Sequence, residues 1–178
     1  MTSKRDIRTM LRQKEHKGSP AEASAIINRL VSHPRIREAK VVMLYHALPD
    51  EVPTRELMTY LIKEGKTVLL PRVISDTDME LHRYTGEKDL RQGAFGIMEP
   101  MGELFTDYAT IDVAVIPGMA FDRQRHRLGR GKGYYDRFLS QLSTLNSQLY
   151  KIGICYPSRL LDEIPVDEHD ILMDEVIS

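Results

Sequence analysis

Apolar runs of three to five residues alternate along the chain with segments whose apolar positions recur every three or four residues. Short continuous runs rich in Val, Ile and Leu are typical of strands covered on both faces of a sheet, and the longer period is that of a helix. This alternation predicts an α/β fold, a mostly parallel, Rossmann-like sheet with helices on both faces in a three-layer sandwich. The predicted buried strands are residues 41–45, 67–70, 112–116, 151–155 and 175–177.

Residues typical of helix starts precede the first two amphipathic segments. Ser3 followed by Asp6 resembles a capping box. Ser19 is the stronger case, because Pro20 suits the first helical position and Glu22 can reach back to the cap. Both segments are therefore predicted to be helices with defined starts.

In the later part of the chain, helix, strand and loop signals alternate. Thr54 is predicted to cap a helix that Gly65 closes, and Pro71 is predicted to end the strand before it. Residues 86–102 carry four glycines and predict mostly loop, whereas residues 134–145 have the period of a helix.

The chain has 178 residues and a formal net charge of −1, with 42% hydrophobic and 29% charged residues. This length predicts a single domain over residues 1–178, large enough to fold without an obligate protein partner. Cys155 is the only cysteine, which excludes an internal disulfide. Because no apolar run approaches the roughly 18 residues of a membrane span and no signal peptide is evident, we expect a cytoplasmic protein.

A stretch rich in glycine and cations lies between a predicted strand and the helix after it. In this stretch Gly129, Gly131 and Gly133 alternate with Arg130 and Lys132. Ligands of open α/β sheets bind beyond the carboxyl ends of strands. Backbone amides, cationic side chains and a helix N-terminus can together surround phosphate oxygens. The stretch therefore predicts a phosphate-binding loop.

Neither common phosphate-binding motif fits this loop. A P-loop needs Ser or Thr after its lysine, and Lys132 is followed by Gly133. A dinucleotide fingerprint needs Gly-x-Gly-x-x-Gly in the first βα turn, whereas Gly-x-Gly-x-Gly occurs here late in the chain. The alternative to a phosphate site is a solvated basic loop with turn glycines.

The run from Phe121 to Asp136 resembles the signature of the 5-formyltetrahydrofolate cyclo-ligase family, also called methenyltetrahydrofolate synthetases. Many family members have Tyr and Gly at the positions of Arg130 and Lys132, and others carry the same two cations. Other family motifs occur in order along essentially the whole chain. These are Lys4, Arg8, Asp50-Glu51-Val52, Thr54, Leu70-Pro71-Arg72, Phe95-Gly96-Ile97, Glu99-Pro100 and residues 165–170.

The resemblance implies a reaction. Members of this family use Mg²⁺ and ATP to convert 5-formyltetrahydrofolate into 5,10-methenyltetrahydrofolate, releasing ADP and phosphate through a phosphorylated formyl group, an imino-phosphate. The chain is thus expected to be a ligase that forms a carbon–nitrogen bond, with Mg²⁺ as cofactor and ATP as co-substrate. Such an enzyme needs no nucleophile of its own, because it positions two substrates and neutralises charge.

The resemblance also implies which residues bind ATP. Lys132 is expected to be the main cation for the γ-phosphate, with Arg130 supporting it and Tyr134 facing the formyl group; these three are the predicted catalytic residues. Considered alone, either loop cation is also explained by a surface ion pair. The full predicted ATP-binding set is Lys4, Arg8, Arg127, Gly129, Arg130, Gly131, Lys132, Gly133, Tyr134 and Tyr135.

Asp136 and Asp170 match the magnesium-binding carboxylates of the family. Magnesium prefers one or two protein carboxylates completed by phosphate oxygens and waters, so two such residues suffice. Considered alone, Asp136 is also explained as a carboxylate in the first turn of a helix, and Asp170 as part of a loop turn. Asp167, Glu168 and Asp174 are close enough in sequence to be the second ligand instead.

Three residues are predicted to bind the folate. Glu51 matches a folate-contacting glutamate, whose carboxylate can accept hydrogen bonds from pterin N–H groups. Phe95 occupies an aromatic position and can stack on the folate rings. His46, at the end of a predicted strand, is expected to line the same pocket. The alternative for His46 is a packed histidine at the end of a strand, and the alternative for Phe95 is a core residue.

Two other classes of protein share parts of this pattern. Cations interleaved with tyrosines over residues 123–137 suggest a nucleic-acid-binding module, but the net charge of −1 and the confinement of these cations to one loop argue against it. A dinucleotide-binding oxidoreductase is disfavoured by the misplaced glycine pattern. We therefore predict the small molecules ATP and 5-formyltetrahydrofolate as partners, with no nucleic acid or membrane.

Overall fold

The computed structural model describes residues 2–14, 18–93 and 96–178. Within these ranges the helices are α1 (Lys4–Arg12), α2 (Pro20–Ser32), α3 (Pro34–Glu38), α4 (Arg55–Lys63) and α5 (Tyr134–Leu145). The strands are β1 (Val41–Met43), β2 (Thr67–Val73), β3 (Met79–Tyr84), β4 (Leu90–Gln92), β5 (Met98–Pro100), β6 (Leu104–Phe105), β7 (Val113–Ile116), β8 (Ala120–Asp122), β9 (Arg127–Leu128), β10 (Tyr150–Ile154), β11 (Leu160–Leu161) and β12 (Glu175–Ile177).

Seven strands form the central sheet, in the order β12-β10-β7-β1-β2-β3-β6. The first five are parallel, and β3 and β6 extend the sheet with antiparallel pairing at one edge. In the middle of the sheet, Val42 of β1 lies opposite Val68 of β2 and Val113 of β7. The prediction of a mostly parallel α/β sheet is confirmed.

Helices cover both faces of this sheet. On one face, α2, α3 and α4 pack on the strands, and Leu30 and Leu57 are fully buried with Val42. On the other face α5 packs through Leu139 against Met43. The predicted three-layer arrangement is therefore confirmed. None of the helices in the described ranges has the length and apolar character needed to cross a membrane.

The helices α1 and α2 begin at the predicted residues. The hydroxyls of Ser3 and Ser19 accept hydrogen bonds from the backbone N–H groups of Asp6 and Glu22, whose carboxylates accept in return from the cap N–H groups. Both are complete capping boxes. The helix α5 also spans its predicted range. These signals involve only sequence neighbours, so they can be identified without the fold.

Three local predictions are wrong in detail. Thr54 precedes α4, but its hydroxyl donates to the carbonyl of Tyr45 at 2.5 Å instead of capping the helix. The strand β2 continues through Pro71, because its register with β1 ends at Leu69 and the proline interrupts no ladder on that side. Residues 86–102, expected to be mostly loop, contain the antiparallel hairpin of β4 and β5 in their described part.

A second sheet of three short strands, in the order β11-β8-β9, lies beside the central sheet. The helix α1 packs on it, with Ile7 and Leu11 buried against Ala120, Leu128 and Ile164. Leu128 is the last residue of β9, so α1 lies next to the start of the glycine-rich segment that leads to α5.

Candidate active site

Residues 129–133, which we call the glycine loop, join β9 to α5. Gly131 and Gly133 have φ angles of 106° and 73°, a region that strains residues with a Cβ. Gly133 is also the N-cap of α5, and no side chain caps this helix. The first-turn amides of a helix have no partner within the helix. The loop and the helix start therefore present amides to an anion, as the glycine pattern predicts.

Two cations of α1 reach the segments around the loop. Arg8 Nε donates to the carbonyl of Gly129 at 2.7 Å. Lys4 Nζ lies 2.6 Å from Asp170 Oδ2 and 3.0 Å from Asp167 Oδ2. A hydrogen bond to a main-chain carbonyl and a partly buried ion pair orient both side chains. The interpretation of Lys4 and Arg8 as a merely solvated helix face therefore does not describe this structure.

Arg127 lies under the loop. Its side chain is buried, and Nε donates to the carbonyl of Pro117 at 2.6 Å. Its guanidinium carbon lies 4.8 Å from the ring centroid of Tyr135, and Nη1 is 3.9 Å from Asp136 Oδ1. Burial lowers the pKa of Arg127, whereas the charge of Asp136 raises it. The guanidinium thus braces the loop against the first turn of α5.

Asp136, in the first turn of α5, lies close enough to Asp170 to feel its negative charge. Burial raises the pKa of Asp136; Arg127 opposes this shift, and the negative charge of Asp170 adds to it. A divalent cation would relieve the repulsion, and carboxylate oxygens are the ligands that Mg²⁺ prefers, so the donor set fits this metal. No group of three or more His, Cys, Asp or Glu side chains in the described ranges is arranged to hold a metal ion.

The other carboxylates near Asp170 are exposed to solvent or bonded to other groups. The side chain of Asp167 is 56% exposed, and that of Glu168 points into solvent. Asp174 accepts a hydrogen bond from the backbone of β10. The side chain of Asp170 is only 9% exposed and is the member of this segment whose charge acts on Asp136. The geometry thus favours Asp170 among the alternatives that the sequence left open.

Glu51 lies beside the glycine loop, in the segment between β1 and α4. Its side chain is 8% exposed, Oε1 accepts from the backbone N–H of Leu48 at 2.9 Å, and Oε2 lies 3.5 Å from Arg130 Nη2. The same Nη2 donates to Asp50 Oδ1 at 2.6 Å. Burial raises the pKa of Glu51, while the Leu48 N–H and the charge of Arg130 lower it. The expected phosphate-binding cation therefore lies beside the expected folate-binding carboxylate.

A pocket opens beyond the carboxyl ends of β1, β7 and β10, where ligands of parallel sheets bind. Its lining includes Tyr45, Glu51, Gly118, Tyr156 and Arg159. Both Asp50 and Glu51 line it, and its volume is only about 10 Å³, room for about one water molecule, so a larger ligand requires this part of the site to widen.

A model of the 5-formyltetrahydrofolate cyclo-ligase family matches residues 1–178. The chain belongs to this family. It is 33% identical to a probable 5-formyltetrahydrofolate cyclo-ligase of Schizosaccharomyces pombe over 89% of this chain and 84% of that protein, and 28% identical to the 5-formyltetrahydrofolate cyclo-ligase of Mus musculus over 99% and 93%. The NMR structure of Aquifex aeolicus 5,10-methenyltetrahydrofolate synthetase superposes with a TM-score of 0.82 at 32% identity, covering 98% of this chain and 88% of that one.

Membership of the cyclo-ligase family makes the chain a ligase enzyme. Among its remaining predicted site residues, Lys132 is exposed and forms no ion pair with any residue that the structure describes. Its carbonyl accepts from Arg137 Nη2 at 2.7 Å, and the Arg137 guanidinium lies 5.5 Å from the ring centroid of Tyr134. Burial raises the pKa of Tyr135, so this phenol stays protonated. Lys132 is thus the loop cation whose charge stays exposed to solvent.

The other two predicted folate residues of the cyclo-ligase site are His46 and Phe95. His46 is half-buried three residues beyond β1 and, among the residues described, is not part of the pocket lining. Burial lowers the pKa of His46, and the charge of Arg55 on α4 lowers it further. Phe95 lies outside the described residues. Its role in folate binding stays a prediction.

Sequence reasoning missed Arg159, which lies five residues after β10. Its side chain is buried, Nη1 donates to the carbonyl of Met119 at 3.0 Å, and Nη2 donates to the carbonyl of Leu11 at 3.4 Å. Burial lowers the pKa of Arg159, and the charge of Asp50 raises it. This arginine joins α1 to the small sheet at the pocket wall. Only its position after a strand could have indicated it from the sequence.

Proposed function

We propose that this cyclo-ligase uses Mg²⁺ and ATP to convert 5-formyltetrahydrofolate into 5,10-methenyltetrahydrofolate, with release of ADP and phosphate. The observation that carries the proposal is the 3.5 Å approach of Arg130 Nη2, on the glycine loop, to Oε2 of Glu51. It joins a loop with phosphate-binding character to a buried carboxylate suited to pterin N–H groups. Two substrates bound on either side would meet at this point.

The chemistry explains why a nucleotide is required. The formyl oxygen is a poor leaving group until it attacks the γ-phosphorus of ATP, which breaks the bond to ADP and leaves an imino-phosphate on N5. The N10 lone pair then forms the new bond to the formyl carbon, the carbon–oxygen bond breaks as phosphate leaves, and N10 gives up its proton. The chain forms no covalent bond in this sequence, so its residues position groups and neutralise charge.

The triphosphate is assigned to the glycine loop and the start of α5. The amides of Gly131 and Gly133 and those of the first helical turn provide donors for phosphate oxygens. Arg8 holds the loop through the carbonyl of Gly129. Lys132 is exposed and can extend to the γ-phosphate, while Arg130 lies on the folate side of the same group.

Asp136 and Asp170 are assigned to Mg²⁺, which when bound supplies positive charge to the triphosphate. Lys4, 2.6 Å from Asp170, neutralises part of the negative charge of this pair. Because burial raises the pKa of Asp136, acidification protonates this ligand earlier than an exposed aspartate.

The pterin is assigned to the surface around Glu51, because the pocket itself, about 10 Å³ in volume, is too small to enclose it. One carboxylate oxygen is occupied by the backbone N–H of Leu48, and the other faces Arg130. A bound pterin N–H would add a donor to this carboxylate and stabilise its charged form. The ring of Tyr156, which is partly exposed, provides apolar surface for the ligand.

The proposal is tested by following the absorbance of 5,10-methenyltetrahydrofolate after mixing enzyme with 5-formyltetrahydrofolate. Product should form only when Mg²⁺ and ATP are both present, in amounts equal to the ADP released. A chelator or a non-hydrolysable ATP analogue should stop turnover. Undiminished ring closure without ATP would overturn the proposal.

A further inference from the structure

Asp50 directly precedes Glu51 and holds the guanidinium of Arg130. Its Oδ1 accepts from Arg130 Nη2 at 2.6 Å, a short charge-assisted bond between residues 80 positions apart. The side chain of Asp50 is 18% exposed and that of Arg130 is 36% exposed, so water screens this pair only in part. Glu51 lies 3.5 Å from the same nitrogen.

Both carboxylates approach the same end of the guanidinium. Within residues 2–14, 18–93 and 96–178, Nε and Nη1 of Arg130 make no hydrogen bond. A guanidinium is planar and rigid, so fixing one nitrogen also sets the directions of the other N–H groups. Arg130 therefore has one end anchored and the other end available to a ligand.

We infer that Asp50 is a positioning residue, which holds Arg130 so that its unused N–H groups point at the group passing between the two substrates. This inference rests on the proposed function. Arg130 belongs to a loop whose two left-handed glycines permit many backbone conformations. If the side chain of Arg130 is oriented before the substrates bind, no entropy is lost in orienting it as the transition state forms. In this role Asp50 influences the reaction through Arg130.

The first test compares Asp50→Ala with Asp162→Ala. Asp162 pairs with Arg123 at 3.7 Å in full solvent, and it is a matched control for losing an aspartate–arginine pair. Asp50→Ala should lower kcat about 10- to 100-fold while the KM for 5-formyltetrahydrofolate changes less than about threefold. Asp162→Ala should leave both unchanged. If Asp50→Ala retains the wild-type kcat, the inference is wrong.

A double-mutant cycle tests whether the effect passes through Arg130. The ammonium of Arg130→Lys has a single nitrogen, so it cannot be anchored at one nitrogen while presenting others to a ligand. In this background, adding Asp50→Ala should therefore reduce kcat less than about twofold. An equal reduction in both backgrounds would show that Asp50 acts independently, and the inference would fail. Asp50→Asn, which keeps the side-chain shape, replaces Asp50→Ala if the latter unfolds.

Failure of this inference can be distinguished from failure of the proposed function. Wild-type enzyme that turns over without ATP overturns both. Wild-type enzyme that requires Mg²⁺ and ATP, combined with a silent Asp50→Ala, overturns only the role of Asp50. Melting temperatures of all variants accompany the kinetics, because a purely stabilising ion pair would change the melting temperature and leave the kcat of the folded fraction intact.

Discussion

Residues 48–52 and the glycine loop at residues 129–133 meet at the site, but they are held in different ways. The first segment closes on itself, since the backbone N–H of Glu51 donates to the carbonyl of Leu48 at 3.0 Å and the Glu51 carboxylate accepts from the Leu48 N–H. The glycine loop is held from outside, by Arg8 of α1, by a side chain of α5 and, through Arg130, by Asp50 of the first segment. One segment can form with the strand before it, whereas the loop needs the completed fold.

The charges in the two regions are controlled differently as well. Glu51 is buried, and burial raises its pKa, so the surroundings of this carboxyl set its protonation. Lys132 is exposed, so its contribution depends on where the loop directs it. We therefore expect loop substitutions to change the rate of phosphoryl transfer, and substitutions around Glu51 to change folate recognition and the pH dependence of stability.

The largest effect is expected from the loop cations. Arg130→Ala and Lys132→Ala should each lower kcat about 10²- to 10³-fold, because losing a charge-assisted contact to the transferred group costs about 2–4 kcal/mol of transition-state stabilisation. Arg123→Ala, which removes an exposed cation outside the loop, is the control. Steady-state rates at saturating ATP decide the outcome, and values within twofold of wild type for both loop variants would identify a solvated turn.

The next effect concerns the metal. Asp136→Asn keeps the side-chain shape but removes a charge that Mg²⁺ needs, so the Mg²⁺ concentration for half-maximal rate should rise about 10- to 100-fold. Burial already raises the pKa of Asp136, so the neutral amide should fold at least as stably at neutral pH. Rates across a Mg²⁺ series and a thermal melt provide both readouts. A lower melting temperature with an unchanged Mg²⁺ response would instead indicate a helix-start role.

A moderate effect is expected at Glu51. Glu51→Gln should raise the KM for 5-formyltetrahydrofolate about tenfold, because an amide cannot accept charge-assisted bonds at both terminal atoms. Protection against thermal unfolding by ATP with Mg²⁺ should persist, since this substitution leaves the loop intact.

The stability of the Glu51→Gln variant has a defined pH dependence. The folded protein raises the pKa of Glu51 above its usual value of 4.5, so the associated stability is complete below that value and is lost as pH rises through the folded pKa. The Glu51→Gln variant has no carboxyl group to ionise at this position, so it does not lose stability in this way. It should melt no lower than wild type at pH 7. Unfolding measured from pH 4 to 7 checks the sign, and a large destabilisation with normal folate kinetics would restrict Glu51 to a structural role.

The smallest effect should come from the local support of residues 48–52. Tyr45 is buried, and its hydroxyl donates to the carbonyl of Val52 at 2.9 Å. Tyr45→Phe leaves that carbonyl unpaired and should cost about 1 kcal/mol of unfolding free energy, measured in urea. The KM for ATP should not change, because the loop does not depend on this bond. A rise in that KM would contradict the separation between the two regions.

Sequence signals predicted the elements whose determinants are local. Ser19 with Glu22 starts α2 through contacts three residues apart, and the period of residues 134–145 places α5 correctly. The continuation of β2 through Pro71 was not predictable from local signals, because it depends on whether the neighbouring strand extends past the proline. Strands of two or three residues, such as β9 and β11, are too short to show a period.

The site was predictable to a different extent. The chemistry of the glycine loop follows from residue types and spacing, whereas the expected role of Glu51 came only from family resemblance. The ion pair of Arg130 with Asp50 spans 80 positions, and nothing local to either residue indicates it. Arg159 was missed because its burial results from the docking of α1 on the small sheet. Contacts of this kind depend on the completed fold.

The position of α1 also affects when the protein becomes active during its synthesis. Lys4 meets Asp170 across 166 positions, and Arg8 meets Gly129 across 121. Such distant contacts form slowly, because a very long loop of chain must close first. Because α1 precedes these partners in the chain, it docks only after they have emerged from the ribosome. A folding intermediate with a complete central sheet and an undocked α1 should lack catalytic activity.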